Sequence, residues 1–147
     1  MAIISIGKTE EIFDDYRYSN YPEVIVEDLG VKIHQDFRIG KGGILWDCSY
    51  IMSKFLQTLE LTNKSLIELG AGTGMSSILA CSKGASVTST DLSSVLPLLT
   101  KNFEANQDLL TGSFEIQELD LKAEITNEKK FDYVICSDLL YDPVITI

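Results

Sequence analysis

The sequence predicts an α/β fold with a doubly wound parallel sheet. Three observations carry that expectation. From residue 44 onward, apolar runs of strand length alternate with stretches of helical spacing. One such run, Leu66, Ile67 and Leu69 around Glu68, passes directly into three glycines on alternate positions, Gly70, Gly72 and Gly74. A second strand, Ser86 to Asp91, ends on an acid 21 residues beyond Gly70, near the ~20 expected of a nucleotide-binding βαβ unit.

Residues 1–20 mix acids and aromatics and read as a short strand or an ordered arm. After Pro22, Val24 to Asp28 reads as a strand and Leu29-Gly30 as a turn. Val31 to Phe37 alternates apolar and polar residues, as a half-buried strand does. The pair is a β-hairpin, with His34 on its solvated side. Gly40-Lys41-Gly42-Gly43 is a loop by composition. Tyr50, Ile51, Phe55, Leu56 and Leu59 then recur at helical spacing and predict an amphipathic helix. Trp46, just before it, is either a packing anchor or a wall for a ligand.

Behind the strand at 65–69, the glycines let the backbone approach a ligand with no Cβ in the way. Met75 to Cys81 reads as a helix on the sheet, closed by Lys83-Gly84. Asp91 stands where a carboxylate accepts hydrogen bonds from ribose hydroxyls, or else caps the next helix. That helix runs from Val95 to Asn106, with Pro97 placed in its first turn. Phe114 to Asp120 alternates as an edge strand does, and Asp120 at its end can receive an adenine amino group. Residues 122–130 are polar loop with weak helical character. Phe131 to Asp138 is a fourth strand, followed by Leu139-Leu140-Tyr141.

Composition narrows the function classes. A chain of 147 residues with 45% hydrophobic content supplies one core. The expectation is one domain, with an arm and hairpin over about 1–40 and a ligand-binding core over about 41–147. The net charge of −10 argues against a nucleic-acid binder, which needs a basic face. It suits a cationic ligand and a basic substrate, or simply keeps the protein in solution. Cys48, Cys81 and Cys136 are odd in number, far apart and without C-x-x-C spacing, so they read as buried thiols in a reducing compartment. No apolar run is long enough for a membrane span, and the N-terminus lacks the flanks of a signal peptide. The expected location is the cytoplasm, with the nucleus as the alternative. No cysteine or second histidine accompanies His34, so no metal site is expected.

The glycine spacing is G-x-G-x-G rather than the G-x-G-x-x-G of dinucleotide sites. With Glu68 two residues ahead, the E-x-G-x-G-x-G string resembles the first motif of the seven-strand, Rossmann-like methyltransferases that use S-adenosylmethionine. Trp46-Asp47, the glycine string, Thr90-Asp91, Asn102 to Asn106 and Asp138 to Tyr141 occur in one order. Together they resemble the protein-lysine methyltransferases of methyltransferase family sixteen over roughly residues 30–147. The resemblance implies a cofactor site built from Trp46, Glu68, Gly70, Ala71, Gly72, Gly74, Asp91 and Asp120, with Ser137 as a backbone contact. It implies a catalytic role for Asp138 and Tyr141, facing the incoming amine. Where family members often place a tryptophan after the third strand, this chain has Leu121, so adenine would meet apolar packing there.

The resemblance also implies three more strands after the fourth, whereas the sequence ends at Ile147. The expectation is a sheet open along 131–138, belonging to a fragment, a truncated isoform or a chain completed by a partner. An open apolar strand edge carries an aggregation risk. The implied activity is methyl transfer to a protein lysine. The alternatives are methylation of a small molecule or another side chain, and cofactor binding without turnover. For D-x-x-Y itself, a helix cap followed by a core tyrosine is the competing reading.

Overall fold

A computed structural model of the chain describes residues 2–4, 22–123 and 129–139. Two sheets and three helices make up this part. The smaller sheet has the order β1 (Ala2–Ile4), β2 (Glu23–Val26), β3 (Val31–His34), with β1 parallel to β2 and β2 antiparallel to β3. The predicted hairpin is therefore present, with shorter arms. Residues 27–30 turn tightly and Gly30 takes φ 67°, which ends the first arm early. Asp36 ends the second by accepting from the Arg38 N–H and capping a 3-10 turn at Phe37–Ile39.

The main sheet is the predicted parallel one. It comprises β4 (Ser65–Leu69), β5 (Ser86–Asp91), β6 (Ser113–Glu118) and β7 (Tyr133–Cys136), in the order β6-β5-β4-β7. The chain winds outward from β4 to β6 and then returns to the far side of β4, where Leu66 pairs with Tyr133 and Leu69 with Cys136. That reversal makes a crevice at the carboxyl ends of β4 and β7. Leu66, Ile67 and Glu68 are buried in succession, as in a strand covered on both faces. At the edge, β6 is largely exposed, and its Phe114 stacks on Phe103 with ring centroids 4.4 Å apart. The fourth strand is shorter than the sequence implies. Asp132 leaves the ladder to accept from the Ser65 N–H at 2.7 Å and the Ser65 hydroxyl at 2.8 Å.

The helices are α1 (Asp47–Gln57), α2 (Met75–Ser82) and α3 (Leu96–Ala105). Helix α2 is buried from Met75 through Cys81, which suits its apolar composition on every side. Helix α1 corrects one expectation. It buries Ser53 and Leu56, while Ile51 and Phe55 stand 66% and 55% exposed. The small Ser49 and Ser53 make the packed stripe, and Ser76 of α2 reaches the Ser49 carbonyl at 3.4 Å. Leu56 is fully buried and Tyr50 and Leu59 pack on the core, so apolar spacing misjudged Ile51 and Phe55 alone.

Two further readings need correction. Only Cys81 is buried; Cys48 is half-buried and Cys136 exposed, because Cys136 shares with Val134 the uncovered face of β7. His34 is not solvated. Its side chain is 16% exposed, with Nδ1 3.6 Å from Glu23, and burial holds its pKa below the ordinary value.

Candidate functional site

The glycine loop is shaped by backbone that only glycine adopts freely. Gly70, Gly72 and Gly74 all have positive φ, at 65°, 56° and 82°. The loop is pinned to the neighbouring strand, since the Ala71 N–H donates to the Thr90 carbonyl at 2.9 Å. A Cβ on Gly72 would sit 3.3 Å from the Gly42 carbonyl oxygen, and one on Gly70 would collide with Leu139. Leu139 takes that place because Asp138 turns the chain at the end of β7 with φ 58°, a region aspartate tolerates better than most residues.

A cleft of about 520 Å³ opens at this point. Gly70 to Thr73 form its floor, Asp91 and Val95 one wall, Ser137 to Leu139 the other, and Lys41, Gly42 and Trp46 its cover. Trp46 is 36% exposed and its indole N–H donates to the Lys41 carbonyl at 2.9 Å, which fixes the ring across the covering loop. Asp91 accepts from the Gly72 N–H and the Leu92 N–H, each at 2.7 Å. Burial raises its pKa, and those two N–H groups oppose the rise by favouring the carboxylate.

The structure thus brings Trp46, Gly70, Ala71, Gly72, Asp91, Ser137 and Asp138 onto one cavity. Tyr141 lies outside the described residues. Four other expected positions, Glu68, Gly74, Asp120 and Leu121, do not line this cleft. Glu68 is 2% exposed beneath the loop, where the Ser77 hydroxyl donates to it. Gly74 is the N-cap of α2, and a Cβ there would collide with Leu99, so it serves helix packing. Asp120 is exposed and caps its own turn by accepting from the Lys122 N–H at 2.9 Å. Leu121, in that same turn, is half-buried and stands apart from the cavity with it.

Sequence reasoning also missed residues. The 40–43 loop covers the cleft, and Gly42 lies against both Gly72 and Val95; its glycine content was the available signal. Cys48 lines the cleft too, beside Ser137, with burial and then the Asp138 charge pushing its thiol pKa up and a hydrogen bond to Ser137 opposing them. A lone cysteine carries no sequence signal of that kind.

Glu68 yields a prediction. Burial raises its pKa from 4.5 to about 7, opposed by the hydrogen bonds from Ser77 and Ser76. Its folded-state pKa lies above the unfolded one, so the folded state retains a proton that the unfolded state has already released. Stability is therefore expected to fall as pH rises from about 4.5 to about 7, by an amount on the order of 3 kcal/mol. Urea unfolding across this range is the measurement, and Glu68→Gln should remove most of the slope. An unchanged slope in that variant would assign the pH dependence to another group.

Comparison with known proteins shows the family. A family model described as lysine methyltransferase matches residues 25–145. Protein N-lysine methyltransferase METTL21A of Mus musculus is 34% identical over 146 residues, covering 95% of this chain and 63% of that protein. The Danio rerio protein of the same name is 39% identical over 117 residues, covering 76% of this chain and 54% of its own length. EEF1A lysine methyltransferase 3 of Xenopus tropicalis is 29% identical over 133 residues, covering 87% and 58%. The chain thus spans less than two thirds of each of these relatives. Among solved structures, M. jannaschii tRNA m1G37 methyltransferase superposes with TM-score 0.54 at 20% identity over 78% of this chain and 34% of that one. A Trypanosoma brucei PRMT1 enzyme-prozyme complex gives 0.51 at 22% identity over 60% and 28%. Both likenesses concern the fold.

Proposed function

The chain belongs to the lysine methyltransferase family, and on that footing we propose that it transfers a methyl group from S-adenosylmethionine to the side-chain nitrogen of a protein lysine. The observation that carries the proposal is the cleft itself, where the glycine loop, Asp91 and Asp138 meet at the reversal of the sheet. The residues present fit the cofactor. The backbone at Gly70, Ala71 and Gly72 lines the cleft, and Asp91 lines it from the end of β5. Thr73, in the loop, carries a buried hydroxyl with no protein partner among the described residues. S-adenosylmethionine, when bound, supplies an electrophilic methyl group on a sulfonium.

The chain's own residues then position and deprotonate. The backbone at Gly70, Ala71 and Gly72 gives close contact, Trp46 covers the site, and the Asp91 carboxylate accepts from ribose hydroxyls. A lysine amine has an ordinary pKa of about 10.4 and must shed a proton before it attacks. Burial beside a positive charge lowers that pKa. The Asp138 carboxylate orients the amine by accepting its N–H and holds the departing proton on the way to water. Tyr141 is proposed as an aromatic wall to the same amine.

The proposal extends to a protein partner presenting the lysine, with neither nucleic acid nor membrane as partner. The acidic composition supports this, because a negative field attracts a basic protein segment. No described helix is long and apolar enough to cross a membrane. A cytoplasmic location, with nuclear entry as the alternative, is proposed from the three free cysteines; imaging of the tagged chain checks it. A supply of methyl-labelled cofactor and a cell extract tests the substrate class. Label in acid-precipitated protein supports the proposal, and label confined to small molecules favours the small-molecule reading.

Asp91 can be tested alone. Asp91→Ala is expected to weaken binding of S-adenosylhomocysteine by about 1–3 kcal/mol, the scale of lost hydrogen bonds to a charged group. Calorimetry is the measurement, and unchanged affinity in a folded variant would remove Asp91 from the site.

A further inference from the structure

Asn102, on α3, and Asn106, which caps the C-terminus of that helix, stand four residues apart and are 0% and 4% exposed. Neither touches the cleft. The Lys32 N–H donates to Asn106 Oδ1 at 2.9 Å, and Asn106 Nδ2 donates to the Lys32 carbonyl at 2.7 Å. The His34 N–H donates to Asn102 Oδ1 at 2.7 Å, and Asn102 Nδ2 donates to the His34 carbonyl at 3.0 Å. Two residues of strand rise about 6.6 Å and four residues of helix about 6 Å. The two amides therefore match the repeat along the free edge of β3 and satisfy it as a further strand would.

The two asparagines differ in their remaining proton. That of Asn106 returns to its own helix, at the Asn102 carbonyl, 2.7 Å away. That of Asn102 crosses to the glycine loop, at the Thr73 carbonyl, 2.8 Å away. One side chain thus joins the small sheet to the peptide between Gly72 and Gly74. Resting on the cofactor reading above, we propose that Asn102 is a positioning residue: it sets the path of the loop through Thr73 and thereby couples the three-strand sheet to cofactor affinity.

The test compares Asn102→Ala with Asn106→Ala by thermal unfolding and by calorimetric titration of S-adenosylhomocysteine. Each variant loses one clamp on β3, so both should melt at lower temperatures by similar amounts. Only Asn102→Ala should lose affinity, by about tenfold, the worth of one hydrogen bond. Equal losses in both variants, or none in either, would overturn the proposal, because a merely structural clamp treats them alike. Hydrogen exchange in the wild type keeps the proposal testable if Asn102→Ala does not fold. Added S-adenosylhomocysteine should slow exchange of the His34 amide severalfold, and an unchanged rate overturns the coupling. A folded wild type that binds no S-adenosylhomocysteine would overturn the cofactor reading itself, and this inference with it.

Discussion

Gly72→Val is expected to weaken S-adenosylhomocysteine binding by at least ~100-fold, about 2.7 kcal/mol, while the chain remains folded. Two effects combine. Gly72 has φ 56°, a conformation that costs a β-branched residue roughly 1–2 kcal/mol or more. The Cβ would already stand 3.3 Å from the Gly42 carbonyl, so the valine methyls must point into the cleft or force the covering loop away. Either movement also disturbs the Gly72 N–H that Asp91 accepts. Gly84→Val is the control. Gly84 has φ 85° and lies against Thr62, away from the cleft. It carries comparable backbone strain and should leave affinity unchanged. Equal binding by Gly72→Val and wild type would show that the loop does not hold the cofactor.

The second large effect is expected at Asp138. Its removal should lower turnover on the order of 10²-fold or more and leave cofactor affinity nearly intact, as for a group that positions the nucleophile. Its backbone conformation decides which variant is informative. At φ 58°, alanine adds strain of its own, whereas asparagine tolerates the left-handed region. Asp138→Asn therefore removes the charge and keeps the turn that seats Leu139 on Gly70. Asp138→Gly keeps the turn and removes the side chain. Both should lose turnover, measured as methyl transfer at saturating cofactor. If both retain near-wild-type rates, Asp138 matters for its backbone alone and the amine is oriented by another group.

Most of the architecture was legible because each element is locally consistent. The run at 66–69 is apolar, the glycines follow at once, and Asp91 ends a strand whose observed bounds match those read from sequence. The fourth apolar run was legible as a strand, and in the sheet it pairs with the glycine-loop strand. What escaped were properties set by tertiary packing. Ile51 and Phe55 have the right spacing for a buried stripe, yet the buried residues of α1 are Ser53 and Leu56, and Ser49 is the one that Ser76 of α2 reaches. Glu68 belongs to the motif string, but its side chain points under the loop to Ser77 rather than into the cleft. Gly74 shares the alternate spacing of Gly70 and Gly72, and its packing against Leu99 is invisible in one dimension. Asp120 satisfies the rule for an acid at a strand end and then spends its carboxylate on a turn. Asn102 to Asn106 entered the sequence reading only as one stretch of the motif order, whereas the match of the two asparagines to the edge of β3 depends on elements about 70 positions apart in the chain.

The central claim is methyl transfer to lysine, and the most direct measurement is chemical identification of the product. Wild-type chain, shown to be folded and to bind S-adenosylhomocysteine, is incubated with methyl-labelled S-adenosylmethionine and a pool of proteins from a cell extract. The labelled protein is then hydrolysed and its amino acids separated. The account predicts label in Nε-methylated lysine, strongly reduced when Asp138→Asn replaces the wild type. Label found in methylated arginine, in carboxyl esters or only in small molecules, with lysine unlabelled, would contradict it.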